Sequence, residues 1–172
     1  MAFDAFLKLV PAAAAQPAPT GESQDAKHPG EIPISGYNLG ITQHITQGSA
    51  SAGAGAGKAT FTDFSFTTPV SKASPLLFQA CAAGARFSQA IVSLRKAGGA
   101  SKGAGFDFLK ITMNGVFVSG YSSGGAAGDE SPHDDVHLSC AGMHFDYTPQ
   151  RPDGSADTPV KGGWDITKNV PA

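Results

Sequence analysis

Apolar and polar positions alternate along much of the chain with a period of two, the pattern of strands with one buried face. Phe3 to Leu9 predicts a first strand, in which Leu7 and Leu9 flank Lys8. Glu31 to Ile41 alternates too, but Pro33 has no N–H to give a ladder, so this segment predicts an edge, a bulge or a strand start. Lys58 to Thr67 changes phase: Ala59 and Phe61 share one parity, Phe64 and Phe66 the other. A reversal near Thr62-Asp63 predicts a β-bulge, which bends a strand as a barrel requires. Phe87 to Arg95 and Phe106 to Ser119 predict two more strands, with Leu109, Ile111 and Met113 on one face and Lys110 and Thr112 on the other. Val136 to Thr148 repeats the reversal: Val136, Leu138 and Cys140 precede Ala141-Gly142, and Met143, Phe145 and Tyr147 follow in the other phase.

Ser74 to Gly84 predicts the single helix. Ser74 suits the N-cap, Pro75 the first helical position and Gly84 a left-handed stop, with Leu77, Ala80, Cys81 and Gly84 on one side. Between these elements lie an Ala/Pro run at Pro11 to Pro19, turn chemistry at Gly21 to Asp25, and a Gly/Ala/Ser loop at Gly48 to Gly57. Glycine-rich turns at Gly98-Gly99, Gly103 to Gly105 and Gly124 to Gly128 have hairpin-like spacing. Many short strands and one helix predict a mainly β chain, an antiparallel barrel or sandwich, with residues 1–172 forming one domain.

Composition narrows the function classes. With 11 phenylalanines and 41 % hydrophobic residues a sizeable core is available. Charged residues are 15 %, and 12 Lys+Arg against 14 Asp+Glu leave a net charge of −2. That balance offers no electrostatic footprint for nucleic acid or an anionic membrane. A weakly charged surface favours contact with other protein. Cys81 and Cys140 form no CxxC pair and read as two buried small hydrophobes. Asp4 and Lys8 interrupt any apolar leader, so no signal peptide is expected, and export would take another route.

Gly53 to Lys58 invites comparison with phosphate-binding loops. Position 52 is Ala where a P-loop has Gly, position 59 is Ala where it has Ser or Thr, and position 58 is Lys where a dinucleotide loop has its third Gly. His133, Asp135 and His137 alternate, so a strand would project all three to one side, and His144 and Asp146 could add ligands for a divalent metal. The chain has no Gly-x-Ser-x-Gly elbow to expose a nucleophilic serine.

An ordered set of segments resembles the haemolysin-coregulated protein (Hcp) family, the tube-forming component of type VI secretion. They include Phe6-Leu7-Lys8-Leu9, Gly21-Glu22-Ser23-Gln24-Asp25, His28 with Glu31-Ile32, Thr62-Asp63-Phe64-Ser65-Phe66-Thr67, Lys72-Ala73-Ser74-Pro75-Leu76, Ala80-Cys81, Arg95-Lys96-Ala97-Gly98-Gly99, Tyr147-Thr148-Pro149-Gln150, Asp153-Gly154 and Pro159 to Asp165. Two departures are the lengthened Ala/Pro run and the absence of the family's usual Trp near Tyr37-Asn38-Leu39. The resemblance implies a β-barrel with one flanking helix that assembles as a homohexameric ring. Rings stack into a tube, held in the cytoplasm before assembly and then exported, with effectors in the lumen and sheath and tip components as partners. It implies no enzyme activity and no cofactor. A closed ring uses up its sideways interfaces, while unlike upper and lower faces stack head to tail into a filament. At −2 per chain a ring of six carries only −12, so repulsion between rings is modest.

Within that frame Asn38 is the candidate cargo residue facing the lumen. Gln47, Gly48, Gly53, Gly55 and Gly57 are candidates for a subunit or ring-stacking contact. Two alternatives stay open: a carrier module that recognises cargo in its own right, and a metal-dependent enzyme using His133, Asp135 and His137.

Overall fold

The computed structural model describes residues 3–46, 55–96, 105–128 and 131–172. Gln47, Gly48 and Gly53, and the turns at Gly98-Gly99 and Gly103, lie outside these residues. In chain order the elements are β1 (Phe3–Pro11), β2 (Ile32–Pro33), β3 (Gly36–Asn38), β4 (Ile41–Thr42), β5 (Ile45–Thr46), β6 (Gly55–Ala56), β7 (Thr60–Phe61), β8 (Phe64–Pro69), α1 (Ser74–Ala83), β9 (Arg86–Lys96), β10 (Asp107–Gly124), β11 (His133–Ser139), β12 (Gly142–Tyr147), β13 (Val160–Asp165) and β14 (Val170–Pro171). The alternating patterns become antiparallel strands, as the spacing predicts, with β10 reaching Gly124 and a C-terminal pair, β13 and β14, that the periodicity does not announce.

The barrel closes where Pro33 sits. β9 pairs with β1 on one side and β10 on the other, and β10 continues through β11 and β8 to β3. Residues 32–38 bridge the two ends. Ile32 and Pro33 pair with β1, the Ile34 N–H donates to the Ala5 carbonyl (2.9 Å), and the Ser35 N–H donates to the Thr67 carbonyl (2.8 Å). Gly36 to Asn38 then pair with β8. Proline fits a strand this short because the ladder asks little of it, and its own carbonyl accepts the buried Thr68 hydroxyl (2.7 Å).

The long strand β10 serves two parts of one sheet that face different ways. Ile111 and Met113 point into the core, then Val116 and Val118 do, a change of parity across Asn114-Gly115. The partner run changes with it: Val136 and Leu138 are buried in β11, then Met143 in β12. β11 and β12 lie end to end along one edge of β10. Between them Ala141 donates its N–H to the Asn114 carbonyl (2.9 Å). Gly115 has φ +60, a left-handed conformation, and a Cβ there would lie 3.1 Å from the Ala141 Cβ. The reversal expected at Ala141-Gly142 is therefore a double kink through both strands. At Thr62-Asp63 the outcome differs from the expected bulge. β7 leaves the barrel to pair with β4, held where the Thr62 N–H donates to the Gly40 carbonyl (2.9 Å) and the Gly40 N–H to Thr62 Oγ1 (2.8 Å).

One cluster, which includes Leu7, Phe64, Phe66, Phe87, Val92, Ile111, Val136 and Leu138, fills the interior, and Leu77 and Ala80 of α1 pack onto it. The cap residue of α1 is Ala73 rather than Ser74. Ser74 lies one residue inside, its buried hydroxyl accepting the Ser71 N–H (3.0 Å), with Pro75 following and Gly84 left-handed at the stop. Cys81 and Cys140 are half-buried rather than fully so. The Gly21–Glu31 loop covers the outside of β1 through buried His28, which stacks on Phe6 (4.7 Å) and hydrogen-bonds Glu31 (2.9 Å) and Asp107 (3.1 Å).

Substituting Gly115→Ala forces a Cβ into a left-handed position against Ala141, and should cost about 1–2 kcal/mol of stability. Chemical denaturation measures it, and an unchanged midpoint would contradict the kink.

Candidate functional site

Beyond the kink, β3, β8, β11 and the second half of β10 form a four-stranded part of the sheet whose inner face is mostly apolar and whose outer face is mostly polar, with exposed Phe117 at its edge. The register assigns the outer rows. Asn38 lies opposite Ser65, Ser65 opposite His137, and His137 opposite Gly120. In the next row Gly36, Thr67, Asp135 and Ser122 align, and His133 stands between Pro69 and Gly124. Alternation within each strand causes this: Phe64 and Phe66 turn inward and leave Ser65 and Thr67 outside.

Asn38 is exposed, while Tyr37 and Leu39 beside it pack toward the core, Tyr37 stacking on Phe64 at 5.7 Å. The structure thus brings Asn38 and the His133/Asp135/His137 set, separate candidates in the sequence, onto one surface. His137 lies over Gly120, where a Cβ would come within 3.1 Å of its ring. The Thr67 hydroxyl donates to Asp135 Oδ1 (2.7 Å), and Asp135 Oδ2 lies 3.8 Å from His133 Nε2. At the margin the Ser119 hydroxyl donates to Asp63 Oδ2 (2.6 Å). Burial pushes the nearby Cys140 thiol up to about 11, with Asp63 adding to it against a hydrogen bond from the Gly142 N–H.

Among the described residues no group of three His, Cys, Asp or Glu is gathered to hold a metal ion. His144 and Asp146 lie on β12, opposite Gly163 and Lys161, on the other side of the kink from His133.

Behind the polar face lies a feature the sequence reading missed. Asp134 is fully buried between Asp135 and His133, and its Oδ1 accepts the Tyr121 hydroxyl (3.0 Å) while Oδ2 has no partner in the structure. Burial first, then the hydrogen bond to Asp134 and its charge, raise the Tyr121 phenol above its ordinary value. The parity of Asp134 against two outward neighbours is the signal that marks it as inward.

Of the stacking-loop candidates, Gly55 pairs with Thr46 in β6, and the exposed Gly57 donates its N–H to the His44 carbonyl (2.9 Å). Both sit on a ribbon built from β4 with β7 and β5 with β6, which runs off the barrel past Ile41, whose side chain is exposed. The ribbon partly orders what the composition reads as a flexible loop.

A closed antiparallel barrel with a flanking helix and a ribbon beside it defines a mainly β fold. The comparisons give it a family. The family model described as "Type VI secretion system effector, Hcp" matches residues 6–147. Protein hcp1 of Pseudomonas aeruginosa is 38 % identical over 173 residues, covering 100 % of both chains. A solved structure of a type six secretion system protein superposes with a TM-score of 0.86 at 26 % identity, covering 99 % of this chain and 100 % of its own. Hcp1 from Salmonella typhimurium gives 0.75 at 29 % identity, with 100 % of both chains covered. This chain belongs to the Hcp family, the secreted tube proteins of type VI secretion. No helix among the described residues is long and apolar enough to cross a membrane.

The Tyr121→Phe substitution strips buried Asp134 of its hydroxyl partner and should destabilise the fold by about 1–3 kcal/mol. Thermal unfolding checks this, and a stability equal to wild type would contradict the contact.

Proposed function

We propose that the chain is the ring-forming subunit of a type VI secretion tube: six copies close into a ring, rings stack head to tail, and effectors travel in the lumen. The observation that carries this reading is the pairing of full-length family similarity with a barrel that has one polar sheet face and one protruding ribbon. Six polar sheets turned inward would line a channel, and a ribbon on one side supplies the unlike faces that open-ended stacking needs. The single hydrophobic cluster supports treating residues 1–172 as one domain. The role is structural rather than enzymatic. Partners are other copies, effectors, and sheath and tip components, with neither nucleic acid nor membrane bound. The subunit waits in the cytoplasm and is exported as part of the tube.

Residues 47–57, including Gln47, Gly48, Gly53, Gly55 and Gly57, make the contact between subunits or rings, and the interface offsets the chain entropy lost on ordering. Asn38 faces the lumen and touches cargo. Its exposure on the polar face supports this, since a lumen wall needs polar groups that a folded cargo surface can exchange for water.

Deleting residues 47–57 should abolish tubes or rings in electron micrographs, and intact tubes would remove that role. An Asn38→Glu ring should retain less co-expressed effector in a pull-down while keeping its size. Equal retention would remove Asn38 from the cargo surface.

A further inference from the structure

The lysines and arginines of this chain avoid the four strands of the polar face. The strands bearing the polar face, Gly36–Asn38, Phe64–Pro69, Phe117–Gly124 and His133–Ser139, contain no lysine or arginine. Among the described residues a fixed cation, Arg86, pairs with Phe117 at the edge of this face, whereas Arg95 and Lys96 on β9, Lys110 on the first half of β10 and Lys161 on β13 lie farther along the sheet. The face does carry carboxylate: Asp135 in its middle row, with a side chain about half exposed (48 %), and Asp63 at its margin. Each is anchored by a neighbouring hydroxyl, Thr67 on Asp135 and Ser119 on Asp63, so the charges are held in place on the strands. On β12, by contrast, Asp146 has Lys161 standing 3.8 Å away. Asp135 has His133 Nε2 at 3.8 Å and, among the described residues, no lysine or arginine paired with it.

We infer that this face is a selective wall for cationic cargo: it recognises protein surfaces bearing lysine and arginine, with Asp135 as its principal determinant and Asp63 as a second. The inference rests on the reading that this sheet lines a ring. Six copies then place six Asp135 carboxylates around one channel, and charge of one sign in a walled space focuses the field on whatever enters. A basic surface meets unneutralised carboxylates together with the hydrogen-bonding groups of Asn38, Ser65 and Ser122. An acidic surface meets like charge and is refused. Specificity thus comes from rejection as much as from attraction.

The test uses assembled rings of the full chain, checked by light scattering, with fluorescent oligolysine and oligoglutamate as probes in a low-salt anisotropy titration. Wild-type rings should bind oligolysine and not oligoglutamate. Asp135→Asn should weaken oligolysine by about fivefold, the scale of one lost charge contact near water, and Asp63→Asn by less. Asp146→Asn, on β12 across the kink, should leave binding unchanged. Equal binding of both probes overturns the inference, as does full affinity in an intact Asp135→Asn ring or an equal loss with Asp146→Asn. If Asp135→Asn does not assemble, Asp63→Asn decides, and an unchanged affinity there overturns it. Wild-type protein that forms no ring overturns the assembly reading itself, and this inference falls with it.

Discussion

The structure depends on one strand doing two jobs. β10 runs from Asp107 to Gly124 and pairs β9 and β12 along its first half and β11 along its second. A strand of fixed parity would bury one row of side chains throughout. Here the buried row switches from Ile111 and Met113 to Val116 and Val118, which requires a left-handed residue at the switch and a partner that switches with it. Gly115 and the Ala141-Gly142 step meet both needs, with the Asn114–Ala141 hydrogen bond stitching the corner. One continuous sheet thereby turns and closes on itself through residues 32–38.

That turn has a functional consequence, because it gives the outer surface two unlike parts. Before the kink the outside carries Lys8, Lys110, Asp146 and Lys161, and the His28 loop covers Phe6 there. Past it the outside is a wall of Asn, Ser, Thr, His and Gly with carboxylate, edged by exposed Phe117 and Arg86 opposite it. In the proposed ring such inequality lets one face line a channel while others meet neighbours or the surrounding apparatus. Buried Asp134, tied to Tyr121 under the wall, fixes from behind the strand that carries Asp135 and the two histidines.

Much of this was legible in the residues. Strand alternation located β1, β8, β9, β10, β11 and β12, and both phase reversals were visible, because burying Phe or Val on one side leaves an unambiguous two-residue period. The reason for each reversal was not legible. At Ala141 the partner strand kinks too, a fact that lives in pairing, and at Thr62 the chain departs to another sheet because Gly40 captures it across the fold. β13 escaped because Lys161-Gly162-Gly163 has no apolar period. Ser74 looks like a cap in sequence, but the chain starts its helical turn one residue earlier and spends that hydroxyl on Ser71. Asn38 and His137 could each be proposed from local pattern, whereas their adjacency through Ser65 required the register.

The central claim is that identical barrels close around the polar sheet. The mass of the native protein in solution, by light scattering across a range of concentrations, tests it most directly. The account predicts particles of six times the 17.4 kDa chain, or multiples of that ring. A well-folded species that remains at the mass of one chain at high concentration would contradict it.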